Sequence, residues 1–142
     1  MKLKTKYYKK DILIVGFGKT GKSILKFFKN QKVNIFIYDD NLDIIKNKFK
    51  SINFFNEKEK KISDFFTIFS SPGISRNHKL IKKAAKKNIP ISSDVELFWE
   101  NQLIKNTNQS ILGVTGTNGK STIALMVANV LKTQPLGNFG NT

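Results

Sequence analysis

Three features of the sequence predict an α/β fold, a Rossmann-like parallel-sheet domain followed by the start of a second, P-loop α/β domain that is truncated. Short apolar, β-branched runs alternate with lysine-flanked amphipathic stretches, the pattern of a parallel sheet covered by helices on both faces. A G-x-G-x-x-G turn at Gly16, Gly18 and Gly21 follows the first such run and opens a helix. A second turn, Gly113-Val-Thr-Gly-Thr-Asn-Gly-Lys-Ser-Thr122, does the same much further along the chain.

In chain order, Ile12 to Val15 predicts a strand, Thr20 to Asn30 an amphipathic helix, and Asn34 to Tyr38 a second strand that ends in Asp39 and Asp40. A short helix is expected over Leu42 to Lys50, and Phe54 and Phe55 start a third strand. Asp64 to Ser70 is apolar and β-rich, and runs into Ser71-Pro-Gly-Ile74, where proline stops the strand and glycine turns the chain. Asn77 is expected to cap a helix over His78 to Lys87, with Leu80, Ile81, Ala84 and Ala85 inward and the lysines in water. Ile89-Pro-Ile-Ser predicts another short strand. From Asp94 an amphipathic helix is expected to bridge into a second unit. There Ser110 to Thr115 reads as a buried strand and Ser121 to Lys132 as a helix. The domain boundary is accordingly placed at 93/94, giving residues 1–93 and 94–142.

Each residue type in the second turn serves a bound phosphate chain. Glycines at 116 and 119 permit positive φ and let backbone N–H groups converge on phosphate oxygens, and the positive end of the following helix favours the same anion. Lys120 would reach the terminal phosphates, and the Ser121 hydroxyl would take a place on Mg²⁺. The strict G-x-x-x-x-G-K-[ST] pattern needs glycine at 114, where this chain has Val114, so the loop is a variant.

The first turn has the parts of a dinucleotide fingerprint. Gly16 makes the turn, Gly18 lets a diphosphate approach, Gly21 lets helix meet strand, and Asp39 stands where such a fold holds ribose hydroxyls. From these residues alone NAD is the first expectation, and a packing turn that binds nothing is the alternative. Because ligands gather at the carboxyl ends of parallel strands, the turns at Gly16, Asp39 and Ser71 are expected to form one site.

Composition narrows the classes. The net charge is +15, but the lysines are spread over every helix, Arg76 is the only arginine, and no recognition module accompanies them, so no specific nucleic-acid partner is expected. Without cysteine there is neither a disulfide nor a thiolate site. The N-terminus is not expected to be a signal peptide, and no apolar run is long enough to cross a membrane. Phe98, Trp99 and the other phenylalanines are expected in the core, His78 as a solvated helix-start residue, and Asp94 and Glu96 in capping and solvation. One strand and one helix after Ser110 cannot complete a sheet, so truncation inside the second domain is expected.

Gly16-Phe-Gly-Lys-Thr-Gly21, Ser71-Pro-Gly-Ile74, Asp94-Val-Glu-Leu-Phe98, Gly116-Thr-Asn-Gly-Lys-Ser-Thr122 and Gly137-Asn-Phe-Gly140 together resemble the amino-terminal part of the Mur ligases. The Ser-Thr after Lys120, the Ser-Pro-Gly-Ile turn and the Asp-x-Glu-Leu-Phe segment resemble the D-glutamate-adding branch. Sister enzymes commonly carry Lys-Thr-Thr, and folylpolyglutamate synthases share the second loop without this first domain.

The resemblance implies a cytoplasmic, monomeric, ATP-dependent amide-forming ligase of peptidoglycan precursor synthesis. It implies UDP-N-acetylmuramoyl-L-alanine and D-glutamate as substrates, with ATP and Mg²⁺. It assigns the first turn to UDP instead of a nicotinamide. Gly18, Lys19, Thr20 and Gly21 would approach the diphosphate, and Asp39 and Asp40 the uridine end. Ser71, Pro72 and Gly73 would line the same site, and Asn138 would approach the sugar or diphosphate. Gly116, Thr117, Asn118, Gly119, Lys120, Ser121 and Thr122 would hold ATP, with Lys120 catalytic and Ser121 on the metal. Asp40 and Asn41 stand where relatives often have a hydroxyl and a basic residue. The family's remaining metal ligands, its carboxylated lysine and its D-glutamate-binding domain would lie beyond Thr142, so residues 1–142 are expected to be inactive alone. An NAD(P)-binding module and a short non-enzymatic nucleotide-binding protein remain the alternatives.

Overall fold

The computed structural model of the protein describes residues 6–41, 49, 52–105 and 110–135, with 103–105 described by their backbone alone. The expected helix over Leu42 to Lys50 lies almost wholly outside these residues, and Asn138 with the Gly137–Gly140 segment lies outside them too. The chain divides into two compact units, Met1–Thr107 and Asn108–Thr142.

The first unit is built on five parallel strands: β1 (Asp11–Val15), β2 (Asn34–Tyr38), β3 (Asn53–Phe54), β4 (Thr67–Ser70) and β5 (Ile91–Ser92). Their order is β3-β2-β1-β4-β5. Central β1 pairs on both sides, Ile12 opposite Ile35 of β2 and opposite Thr67 of β4. The strand expected from Asp64 starts later, because Ile62–Asp64 forms a short 3-10 turn first.

Side-chain alternation along β1 divides the core between the two sheet faces. Ile12 and Ile14 pack with Ile24, Phe28, Tyr7 and Leu97, whereas Leu13 and Val15 pack with Phe55, Phe65, Leu80, Ile81 and Ala84. The first cluster belongs to helices α1 (Lys19–Phe28) and α3 (Asp94–Lys105), the second to α2 (Lys79–Lys86). Ile12 to Val15 are all fully buried, as continuous apolar strands in doubly covered sheets must be. Removing one such side chain from water contributes about 1.5–3 kcal/mol. Tyr7, Phe28 and Phe69 add edge-on and tilted ring contacts at 5.2 to 6.0 Å.

Helix α2 buries Leu80, Ile81 and Ala84 as its spacing predicts, but Ala85 is exposed, one residue beyond the apolar stripe. Its cap is His78, not Asn77: the His78 Nδ1 accepts the Leu80 N–H at 3.3 Å. At α3 the expected capping role of Glu96 holds. Ser93 and Glu96 exchange side-chain to backbone hydrogen bonds of 3.2 and 2.9 Å, a capping box.

Helix α3 is tied to the first unit through Leu97 and Glu100, which share a face one turn apart. Glu100 accepts from the Lys6 ammonium at 2.6 Å and the Tyr7 hydroxyl at 3.1 Å. Burial and the neighbouring Glu100 charge push the Tyr7 hydroxyl above its ordinary pKa. Phe98 and Trp99 were expected in the core but are 37% and 51% exposed. The reason is rotation: with Leu97 and Glu100 inward, the two residues between them turn away at about 100° per residue.

In the second unit, helix α4 (Lys120–Val130) follows Gly119. Ser110 to Thr115, expected as a buried strand, is irregular chain, with Ile111 and Leu112 exposed. A parallel strand exists only through its neighbours, and among the described residues of this unit no strand pairs with it. Of α4 only Ala128 is buried, while Ile123, Leu125, Met126 and Val130 are exposed. No helix among the described residues is long and apolar enough to cross a membrane.

Candidate functional site

In the order β3-β2-β1-β4-β5 the chain runs outward from β1 through β2 to β3 and then crosses back to β4 on the other side of β1, so the order reverses between β1 and β4, and a ligand crevice is expected beyond the ends of those two strands. Gly16 ends β1 there, with φ +88°, a conformation L side chains rarely adopt. Its N–H donates to the Tyr38 carbonyl at 2.8 Å, and its own carbonyl accepts the Ser71 hydroxyl at 2.8 Å. A Cβ on Gly16 would come within 2.9 Å of the Ser71 Cβ and 3.0 Å of Ile74 Cγ1. The Ser71-Pro-Gly-Ile turn is therefore locked onto the first glycine turn.

Asp39 closes the other side. Its Oδ2 accepts the Phe17 N–H at 2.7 Å and its Oδ1 the Asn41 N–H at 2.9 Å. The residue singled out for ribose hydroxyls thus binds backbone, keeping only the remaining lone pairs of each oxygen for a ligand. The three turns at Gly16, Asp39 and Ser71 meet at one place, as expected from their position at strand ends.

Gly21 sits buried in the first turn of α1, where a Cβ would collide with the Gly16 carbonyl oxygen, so helix and turn approach as only glycine allows. Gly18 is the N-cap and offers no capping side chain, so the leading N–H groups of α1 are not met by a cap. A Cβ on Gly18 or Gly73 would meet no heavy atom within 4 Å, so both positions face open space. Lys19, Pro72 and Gly73 are exposed there, and Thr20 and Ser71 half-buried. Uncapped N–H groups, a helix dipole and a lysine suit an anion such as a diphosphate.

Two residues outside the glycine motifs join this end of the sheet. Tyr38 donates its hydroxyl to Asp40 Oδ1 at 3.1 Å, and His78 Nε2 lies 3.5 Å from the same oxygen. The two rings stand 5.6 Å apart. Lys79 lies 5.5 Å from the Tyr38 ring centroid, and interaction with the Tyr38 hydroxyl holds its ammonium above the ordinary pKa. The His78 side chain is 13% exposed, a correction to its reading as a solvated residue. Only the nearness of β2 and α2, invisible in local sequence, reveals it.

In the second unit Gly116 and Gly119 have φ of +153° and +74°, the positive values expected of these glycines. Gly119 is the N-cap of α4 and gives no side-chain cap. The Lys120 ammonium donates to the carbonyls of Gly116 and Thr117, so it folds over its own loop. Thr117, Asn118, Ser121 and Thr122 are exposed beside it. Among the described residues, no group of three or more His, Cys, Asp or Glu is gathered to hold a metal.

Comparison with known proteins agrees with this fold. The solved shikimate dehydrogenase of Aquifex aeolicus superposes with a TM-score of 0.50 at 15% identity, covering 76% of this chain and 53% of that one, a likeness of fold alone. The chain is 36% identical over 131 residues to the UDP-N-acetylmuramoylalanine--D-glutamate ligase of Wolbachia pipientis wMel, covering 89% of this chain and 25% of that protein. It is 38% identical over 145 residues to the ligase of the same name from Rickettsia bellii, covering 96% and 31%. It thus spans about a quarter to a third of the length of these curated relatives. Residues 10–93 match the family described as Mur ligase MurD-like, N-terminal domain. Since those residues build all five strands and the latched glycine turn, the chain belongs to the MurD-like Mur ligases through their N-terminal domain.

Proposed function

We propose that residues 1–93 grip the UDP part of UDP-N-acetylmuramoyl-L-alanine and that residues 94–142 open the ATP-binding central domain. The whole would be a cytoplasmic, monomeric, ATP-dependent ligase that adds D-glutamate during peptidoglycan precursor synthesis. The observation that carries this reading is the crevice at the switch point, where the Gly16–Ser71 latch sits beside an uncapped helix and open space at Gly18 and Gly73. The names of the relatives supply the substrates.

In this reading Gly18, Lys19, Thr20 and Gly21 receive the diphosphate on N–H groups and one ammonium. Asp39 and Asp40 meet the nucleoside, and Ser71, Pro72 and Gly73 form the opposite wall. The loop Gly116 to Thr122 fits a nucleotide triphosphate: Lys120 exchanges the carbonyls of Gly116 and Thr117 for phosphate oxygens. The exposed Ser121 hydroxyl would share Mg²⁺ with those oxygens, which suits an ion that takes few protein ligands. ATP, when bound, supplies a phosphoryl group that activates a carboxylate for amide formation. Lys120 offsets charge on that group, and the backbone of Thr117 to Lys120 orients it. Residues 1–142 are proposed to bind without completing ligation.

Calorimetric titration of the 142-residue chain with UDP and with NAD tests the substrate half. UDP is expected to bind and NAD not to compete; NAD binding with UDP inert would replace this reading by a dinucleotide module. Amide product formed by this chain alone from the two substrates and ATP would overturn the proposed inactivity.

A further inference from the structure

Beyond the glycine turns, the crevice is fixed at its β2 side by a cluster that none of the phosphate-binding motifs contains. His78 uses both ring nitrogens. Nδ1 accepts the Leu80 N–H at 3.3 Å, so in the neutral ring the proton sits on Nε2, which faces Asp40 Oδ1 at 3.5 Å. The Tyr38 hydroxyl donates to that same oxygen at 3.1 Å. That oxygen therefore has one hydrogen-bond donor, Tyr38 on β2, with the His78 ring of the α2 cap standing against it, while Oδ2 has no hydrogen-bond partner among the described residues and the Asp40 side chain is 64% exposed. His78 is itself anchored by its N–H to the Ser75 carbonyl at 2.9 Å, within the loop that Ser71 latches to Gly16.

We infer that His78 is a positioning residue for the nucleoside end of the crevice: with Tyr38 it holds Asp40 so that Oδ2 presents as acceptor to a donor on the nucleoside. A carboxylate on a loop just past a strand end otherwise samples several rotamers, and fixing one of them removes the ordering cost from binding. The inference rests on the UDP reading above, and deepens it by naming what sets Asp40. Among the described residues His78 contacts Asp40, Tyr38, Ser75 and Leu80 and bonds to none of Gly18 to Gly21, the residues assigned to the diphosphate, so its effect is expected on nucleoside recognition and not on diphosphate affinity.

His78→Asn separates the two jobs of the residue. Asparagine is among the best N-caps, so it retains the α2 cap, but it is too short to reach Asp40. The 142-residue chain and its His78→Asn, Asp40→Asn and doubly substituted variants are titrated with UDP and with inorganic pyrophosphate, and their thermal midpoints recorded. The expected result is that His78→Asn keeps the wild-type midpoint, weakens UDP about five- to tenfold, leaves pyrophosphate unchanged, and adds nothing further in the Asp40→Asn background. Equal loss for UDP and pyrophosphate, or full additivity with Asp40→Asn, would make His78 a structural cap only and overturn the inference while the UDP reading stands. Failure of the wild-type chain to bind UDP at all would overturn the reading itself, and the inference with it.

Discussion

The hydroxyl of Ser71 donates a 2.8 Å hydrogen bond to the carbonyl of Gly16 across 55 residues of chain, joining the ends of β1 and β4 where the sheet changes direction. The β1–β4 ladder ends at the pair Val15 and Ser70, and this bond, with the Ser71 N–H on the Val15 carbonyl at 3.0 Å, carries the connection one residue further into the two turns.

Gly16→Ala therefore meets two penalties, the φ of +88° and the approach to Ser71 and Ile74. Together they are expected to cost about 2–4 kcal/mol of stability in urea unfolding. Ser71→Ala loses one hydrogen bond and should cost about 1 kcal/mol. An unchanged urea midpoint for Gly16→Ala would mean that the turn is not closed as described.

Gly21→Ala reverses a usual sign. Replacing glycine by alanine inside a helix ordinarily stabilises by roughly 0.5–1 kcal/mol. Here the new Cβ collides with a backbone oxygen that cannot rotate away, so destabilisation by about 1–3 kcal/mol is expected. Thermal unfolding decides it by the direction of the shift.

Lys120→Ala should weaken ATP binding by at least about tenfold, since the ammonium is the only charged donor of its loop. Lys120 is exposed and, among the described residues, bonded only to its own loop, so stability should change by less than about 0.5 kcal/mol. Fluorescent-nucleotide titration and a melting curve on the same sample read both quantities, and undiminished ATP affinity would remove the loop from the nucleotide site.

Acid should weaken the first unit partly through Asp11. Partial burial pushes its carboxyl up, but hydrogen bonds from Lys60 at 2.5 Å and Asn34 at 2.7 Å outweigh this, so its pKa lies below the ordinary value. A group depressed on folding contributes stability that is present above the unfolded value, near 3.8, and lost as pH falls through the lower folded value. Asp11→Asn should flatten the stability curve below about pH 4 and leave its slope near neutrality unchanged. A slope at acid pH equal to that of wild type would show that Asp11 gains nothing from Lys60.

Local chemistry made much of this legible beforehand. The G-x-G-x-x-G and Gly-Thr-Asn-Gly-Lys-Ser-Thr turns, the β1 and β2 boundaries and the apolar stripe of α2 follow from backbone freedom and periodicity, which a few neighbouring residues settle. Sequence by itself also determined that Gly16, Asp39 and Ser71 lie at strand ends. Only the tertiary structure decided that the Asp39 carboxylate binds the Phe17 and Asn41 backbone, that His78 caps α2 and faces Asp40, and that Phe98 and Trp99 turn outward. It also decided that Ser110 to Thr115 is not a strand, although its residues are apolar enough for one. The difference is physical: a torsion angle or a helical repeat is fixed within one turn of chain, whereas a carboxylate's partners and a strand's ladder are supplied by segments tens of residues away, and their identity depends on the path between.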